Sequence, residues 1–502
     1  MSKVLKHLKP TTSVGPDGIP NILLKNCASS LAVPLCHLFD TSFKDGILSD
    51  CWKKADIILI HKQGCTVEAN NYRPISLTST CCRVMERMIN NQLLDYLLSN
   101  QLISKQQHGF IRKRGTCSNI LESLHDWCLN LQSRFATDII YFDFKKAFDS
   151  VSHPKLLVKL QAYGITGNLF TWLTEFLHGR SQTVKLGVTH SHSVRVASGV
   201  PQGSVLGPTL FLLFINDICD IFDGLNVKCK LYADDIKLYS SYNVNVPQYD
   251  LMTAISRLHN WSVTWQLQIA IDKCFVCTVS NVHHNLECSS RAHGICSQTI
   301  ANADCVWDLG VMVDSRLKFD NHIAGIAHKA MSRANLILKS FHSRDKTLLT
   351  TAFCTYVRPL LEYCSPVWSP HTQCLISKIE KVQRYFTKRV AGLRSLSYDK
   401  RLQTLGLQSL EYRRVINDLI LYYKIKNGLL DTDIRNNFIA ADNLNTRGHS
   451  CKLIKQHCTM DATKFYFSNR IVSVWNSLPE DVVSAASVSI FKNRLSQFTL
   501  TL

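Results

Sequence analysis

The stretch Lys230-Leu231-Tyr232-Ala233-Asp234-Asp235-Ile236-Lys237-Leu238-Tyr239 sets two adjacent acids between two runs of strand-forming residues. The alternation on either side predicts two strands joined as a hairpin with both acids at its tip. Two neighbouring anions at a tight turn repel, and a bound divalent cation offsets that repulsion. Aspartate is also an ordinary turn residue, so the dipeptide alone specifies no more than a polar hairpin. Its weight comes from what surrounds it.

Upstream, Ile139-Ile140-Tyr141-Phe142-Asp143-Phe144-Lys145-Lys146-Ala147-Phe148-Asp149 predicts a β-rich apolar run that delivers Asp143 at a strand end, followed by a turn into a helix. Asp143, Asp234 and Asp235 would then be three carboxylates on two strand ends. Oxygen ligands on a rigid base, with positions left open for phosphates, are what a pair of Mg²⁺ ions needs for phosphoryl or nucleotidyl transfer.

Beyond these segments, 502 residues suffice for two to four domains with ample core. Hydrophobic residues at 46% and charged residues at 19% exclude a disordered tail protein. The 57 Lys and Arg against 38 Asp and Glu give a net charge of +19, which makes a polyanion the leading partner. The start, Met1-Ser2-Lys3-Val4-Leu5-Lys6-His7, has no apolar signal core, and no membrane-length apolar run occurs. Twenty Cys without a signal peptide read as reduced, mostly buried thiols. The expectation is a soluble intracellular protein of nucleus or cytoplasm, neither secreted nor membrane-bound.

Periodicity predicts helices through Ile22, Leu23 and Leu31 to Phe43 and over Val84–Leu98, and a buried strand over 55–62. Strands and helices alternate over about 137–300. From about 326, long amphipathic stretches such as Ile376–Leu396 and Leu407–Asn427 take over, and the last seventy residues suggest a small appended unit.

With these segments in hand, the chain resembles a reverse transcriptase of the non-LTR, LINE-type retrotransposons of the Jockey and chicken-repeat kind. Tyr232-Ala233-Asp234-Asp235 resembles the family's palm hairpin, and Phe142-Asp143 with Ala147-Phe148-Asp149 its first catalytic motif. Between them Ser198-Gly199-Val200-Pro201-Gln202-Gly203-Ser204 resembles the loop beside the incoming nucleotide. Ile60-His61-Lys62, Asn71-Tyr72-Arg73-Pro74 and His108-Gly109-Phe110-Ile111-Arg112 resemble the fingers. Gly15-Pro16-Asp17-Gly18 resembles the N-terminal extension. Leu309-Gly310-Val311 resembles the primer grip, Tyr356-Val357-Arg358-Pro359 the thumb, and Trp475-Asn476-Ser477-Leu478-Pro479 the C-terminal ending. The ordered set, from about 15 to 495, is far more specific than any one match.

The resemblance implies an α+β right-hand polymerase: fingers, a palm with an antiparallel sheet, and a helical thumb. Residues 1–50 would be the N-terminal extension, 51–325 fingers and palm, 326–430 a basic thumb, and 431–502 an appended segment. It implies RNA-templated DNA synthesis with an RNA template, a DNA primer, deoxynucleoside triphosphates and two Mg²⁺ ions, Mn²⁺ being an alternative. Oligomeric state is not implied. Asp143, Asp234 and Asp235 would hold the metals, and Lys273 would protonate the leaving pyrophosphate. Lys62 and Arg73 would meet the triphosphate, as a point charge and a bidentate fork suit it. Gln202 would donate to the nucleotide, Gly203 would let the backbone approach closely, and Phe148 would exclude a ribose 2′-hydroxyl. On the predicted thumb helix, Lys378, Lys381, Arg384, Lys388 and Arg389 recur at helical spacing and would track a phosphate backbone.

Such elements usually begin with an endonuclease domain, whereas this chain opens at the polymerase's own extension, so the expectation is the polymerase part of a longer protein. Cys274, Cys277, His283, His284, Cys288, His293 and Cys296 form a metal-rich run, but Cys274 and Cys277 lie in a strand-like stretch and the later spacing misses the four-ligand patterns, so zinc is not expected. The rival reading is a catalytically silent RNA- or DNA-binding remnant of an element. A group II intron maturase or viral RNA polymerase is disfavoured by the thumb and ending.

Overall fold

Apolar alternation on either side of the acids builds the central sheet. The computed structural model describes residues 1–62, 64–243, 249–281, 293–295, 298–441 and 448–498. In it the strand Ala136–Phe142 lies in the middle of five, ordered Ala301–Asn302, Phe275–Val279, Ala136–Phe142, Asp235–Tyr242, Lys228–Tyr232. Only the first pair is parallel.

Because successive residues of a strand face opposite sides, the sheet separates two cores. Ile140, Phe142, Leu238 and Val276 enter one, with Leu210, Phe214 and Trp261. Ile139, Tyr239 and Val279 enter the other, with Trp127, Phe386 and Trp475. Helix Thr116–Gln132 supplies the wall of that second core through Ile120, Leu124 and Trp127. Among the described residues, no helix is long and apolar enough to cross a membrane.

A second sheet centres on Lys54–His61, antiparallel to Tyr72–Thr78 and parallel to Ser181–Leu186. The expected strand over 55–62 is present but only half buried: Ala55 and Ile57 are covered, whereas Ile58 and Ile60 are exposed. The parallel partner reaches only from Lys54 to Ile57, so among the described residues no strand pairs with the far half on that edge.

The predicted helices 22–43 and 84–98 are found as Asn21–Asn26 with Ala28–Asp45, and as Thr80–Ser99. The last begins earlier than its apolar pattern because Ser79 caps it by accepting from the Cys82 amide. Past Asp143 the expected helix does not form until His153–Ala162. Lys145 N donates to Gln268 O, Phe144 bridges to Ile269, and Lys146 adopts a left-handed φ of 46°, so contacts to a distant loop hold the segment in turns. The amphipathic stretch from Ile376 is helical only over Gln373–Thr387. Val390 and Leu393 then turn into the core, and Gly392 takes a φ of 74°.

The expected boundary after 325 falls inside the helix Asp320–Ser340. Beyond residue 430, Phe467, Trp475 and Phe491 share one core with the preceding helices. Tyr423 stacks on Phe491 at 4.3 Å, and Arg470 pairs with Asp418 at 2.8 Å. The described residues beyond 430 are therefore built into the second core rather than hung upon it.

Candidate active site

Tyr232 pairs with Asp235, so Ala233-Asp234 is a two-residue turn, and Ala233 takes a φ of 56°. Such a backbone is strained for a residue with a Cβ and needs outside support. Gln107 supplies it. Its Oε1 accepts from the amides of Ala233 at 2.9 Å and Gly109 at 2.8 Å. The flanking backbone is tied as well, since His108 N donates to Leu231 O and Leu231 N to Gln106 O. A Cβ at Gly109 would lie 2.4 Å from the Ala233 amide, so glycine is what lets the two segments meet.

Asp143 follows directly on Ala136–Phe142. Phe142 pairs with Ile236, and one further step of that register sets Asp143 beside Asp235. Ala270 N donates to Asp143 O at 2.8 Å, and the 3₁₀ turn Ile271–Lys273 brings Lys273 Nζ within 3.2 Å of the Asp143 carboxylate. Asp143, Asp235 and Lys273 line one cleft of about 330 Å³.

The carboxylates repel one another. Desolvation first, then the charges of Asp234, Asp143 and Asp308, push Asp235 up to about 7, although its surface still meets solvent. Asp234 is raised by desolvation and by Asp143, opposed by its own backbone hydrogen bond and by Arg73 and Lys62. A second cation at this site would relieve that excess of negative charge. Among the described residues no three His, Cys, Asp or Glu close into a ready-made metal cage. An open set of hard oxygen donors fits Mg²⁺, which keeps water and takes substrate phosphates rather than an all-protein shell.

The other predicted residues divide into three groups. Lys62 and Arg73 lie exposed on the adjoining sheet and are felt by Asp234. Gln202, Gly203 and Phe148 belong to two segments tied together, since Val200 N donates to Phe148 O at 2.8 Å. Gln202 Nε2 donates to Asp149 at 2.9 Å, and its carbonyl accepts from Ser76 N at 2.6 Å. Gly203 takes a φ of 117°, and a Cβ there would lie 2.5 Å from Ser76 O. Phe148 is held in a turn, stacked on Phe211 at 4.3 Å and 16°. Lys378, Lys381 and Arg384 lie exposed on Gln373–Thr387, with Lys388 and Arg389 just past its end. Arg389 covers the Tyr385 ring at 3.3 Å and Arg384 the Tyr398 ring at 4.8 Å, so these two cations already have partners.

Three features escaped the sequence reading. Gln107 as the clamp of the acid turn is one, and Asp149 as the holder of Gln202 is another. The third is a pair of buried ion networks beneath the acids. Lys237 and Asp308 meet at 2.6 Å. Glu122 meets Lys230 at 2.5 Å and His108 at 3.2 Å, and accepts from Thr432 Oγ1 at 2.6 Å. Gln107 adjoins a quoted motif, and Asp149, Lys230, Lys237 and His108 stand inside quoted stretches, but no local pattern there records the partner each meets. In the metal-rich run, Cys274 lies in the core with Val276, and Cys277 follows on the strand's other side. His283, His284, Cys288 and Cys296 lie outside the described residues.

Residues 60–312 match the family described as reverse transcriptase (RNA-dependent DNA polymerase). The chain is 27% identical over 403 residues to the RNA-directed DNA polymerase from mobile element jockey of Drosophila funebris, covering 78% of this chain and 43% of that protein. It is 26% identical over 402 residues to the probable RNA-directed DNA polymerase from transposon BS of Drosophila melanogaster, covering 76% and 43%. The chain thus spans less than half the length of these two relatives.

Proposed function

Because the chain belongs to the reverse transcriptase (RNA-dependent DNA polymerase) family, we propose that it synthesises DNA on an RNA template, as the names of its relatives describe. The observation that carries this reading is the set of three mutually repelling carboxylates at the end of the central sheet, two of them lining a cleft and the third under the charges of Arg73 and Lys62. Mutual repulsion is poor for a merely structural turn and suited to a site that works when cations occupy it.

In this reading the central sheet is the palm, the Lys54–His61 sheet the fingers, and the helices from Asp320 onward the thumb. Asp143 and Asp234 hold two Mg²⁺ ions, supported by Asp235; such ions stabilise charge on the attacking and leaving oxygens of nucleotidyl transfer. Lys62 and Arg73 bind the triphosphate. Gln202, oriented by Asp149, donates toward the nucleotide, and Gly203 keeps the backbone close to the neighbouring strand. Phe148, backed by Phe211, blocks a 2′-hydroxyl. The ion pair of Lys273 with Asp143 favours a counter-charge role over proton donation to pyrophosphate. Lys378, Lys381 and Lys388 are the better phosphate contacts of the basic helix, because Arg384 and Arg389 sit on rings. The partners are then an RNA template, a DNA primer and deoxynucleoside triphosphates. Eighteen free cysteines among the described residues support work in a reducing compartment, nucleus or cytoplasm.

The test is extension of a labelled DNA primer on an RNA template with purified chain and Mg²⁺. Template-dependent extension that stops in EDTA is expected. Tight template binding without extension, across Mg²⁺ and Mn²⁺, would leave the silent binding remnant as the function.

A further inference from the structure

One short loop touches both halves of the site. Gln107 and Gly109 support the turn that carries Asp234. The next residue, Phe110, lies edge-on to Phe148, with ring centroids 6.2 Å apart and planes at 81°. Phe148 is also stacked on Phe211. The Phe148 ring thus has two aromatic contacts, with Phe211 buried, Phe148 half-buried and Phe110 53% exposed.

Phe110 has a φ of 57°. A bulky aromatic in the left-handed region is a backbone outlier, and one that leaves half its ring in solvent gains little burial in return. The fold holds Phe110 there through its neighbours: Gly109 against Ala233, and the backbone bonds of Gln106 and His108 to Leu231. The conformation aims the ring at Phe148.

We infer that Phe110 is a specificity-determining positioning residue: it fixes the Phe148 ring across the path of a nucleotide's sugar and so sets how strongly deoxynucleotides are preferred over ribonucleotides. The inference rests on the reading of Phe148 as the sugar gate. A ring stacked on one side only can pivot about its Cβ, because a stack on Phe211 resists tilting but not sliding. A second, edge-to-face neighbour removes that freedom. Discrimination by steric exclusion depends on the blocking group not yielding, so the brace matters for the ratio of the two substrates and little for use of the correct one. Phe110 acts through Phe148, and no contact with substrate is required of it.

The experiment measures kcat/KM for deoxynucleotide and ribonucleotide in primer extension, with melting temperature, for wild type and four variants. Phe148→Val tests the gate: a fallen deoxy-to-ribo ratio is expected, and an unchanged ratio would sink the gate reading itself. Phe110→Ala should lower the ratio on the order of three- to tenfold, the share one edge-to-face contact supplies, through higher ribonucleotide use at nearly unchanged deoxynucleotide kcat. Phe110→Leu, which retains bulk against Phe148, should recover part of the ratio. Phe148→Val combined with Phe110→Ala should match Phe148→Val alone, because a brace has nothing left to hold. If Phe148→Val lowers the ratio but Phe110→Ala does not, or the two losses simply multiply, the proposal is overturned. Equal loss of both substrates in Phe110→Ala and Phe110→Leu with a lowered melting temperature overturns it too.

Discussion

The acids at the end of the central sheet and the cations of the helix Gln373–Thr387 are both clusters of like charge, held in opposite ways. Asp143 and Asp234 come from distant parts of the chain and are forced together by strand register, and desolvation first, with their repulsion added, raises the pKa values of Asp234 and Asp235. Lys378 and Lys381 are neighbours along one helix and point into water, with Ile379, Val382 and Phe386 buried on the other side. Solvent screens the second cluster and cannot screen the first equally. Crowded charge set by tertiary structure serves one chemical step. Dispersed charge set by helical spacing serves general affinity for a polyanion.

The strongest way to break that comparison is Asp234→Asn. Loss of one ligand charge should cut primer extension on the order of a thousandfold or more, about 4 kcal/mol in the transition state. Template–primer affinity, measured by filter binding or anisotropy, should stay nearly unchanged. Comparable losses in both would mean that the two clusters do not divide the work.

A third cluster sharpens the contrast, because there buried charges are matched. Burial alone would raise Glu122, but the contact with His108 and the charge of Lys230 outweigh it and hold the carboxyl well below its usual range. Glu122→Gln leaves Lys230 buried without its counter-charge and should cost about 3 kcal/mol in denaturant unfolding. A depressed carboxyl contributes its full stability above the unfolded value, near about 4.3, and loses it as pH falls through the folded value. Wild type should therefore lose stability below about pH 4 more steeply than Glu122→Gln. Parallel acid limbs would show that Glu122 is not the group responsible.

The smallest effect is expected at the helix. Replacing Lys378, Lys381 and Lys388 together by Gln should weaken template–primer binding roughly tenfold at physiological salt and flatten the log–log salt dependence by roughly 2 to 3. Extension at saturating template–primer should keep its rate. An unaltered salt slope would mean that this face meets water only.

Some of this was legible one residue at a time. The alternation around Asp234-Asp235 predicts the hairpin that is found, and the apolar run before Asp143 predicts its strand. Gly203 reads as a place of close backbone approach, and Ser76 is what approaches. The residues after Asp143 suit a helix, whereas contacts to Gln268 and Ile269 hold the segment in turns. Asp149 gave no sign that it would hold Gln202, since its partner lies in another loop.

By itself the sequence determined the strands, the acids at their ends, the excess of positive charge and the family motifs in order. Each of these depends on residue identity or on spacing within a few residues, where sterics and hydrophobic periodicity act. Tertiary structure alone decided that Gln107 clamps the Ala233 turn, that Lys237 pairs with Asp308, that Glu122 ties the hairpin to Thr432, and that the described residues beyond 430 complete the second core. These contacts join segments far apart in the chain, and a hydrogen bond or ion pair acts only over a few ångströms. No local pattern records which distant residue will arrive there; packing of the two cores against the sheet does.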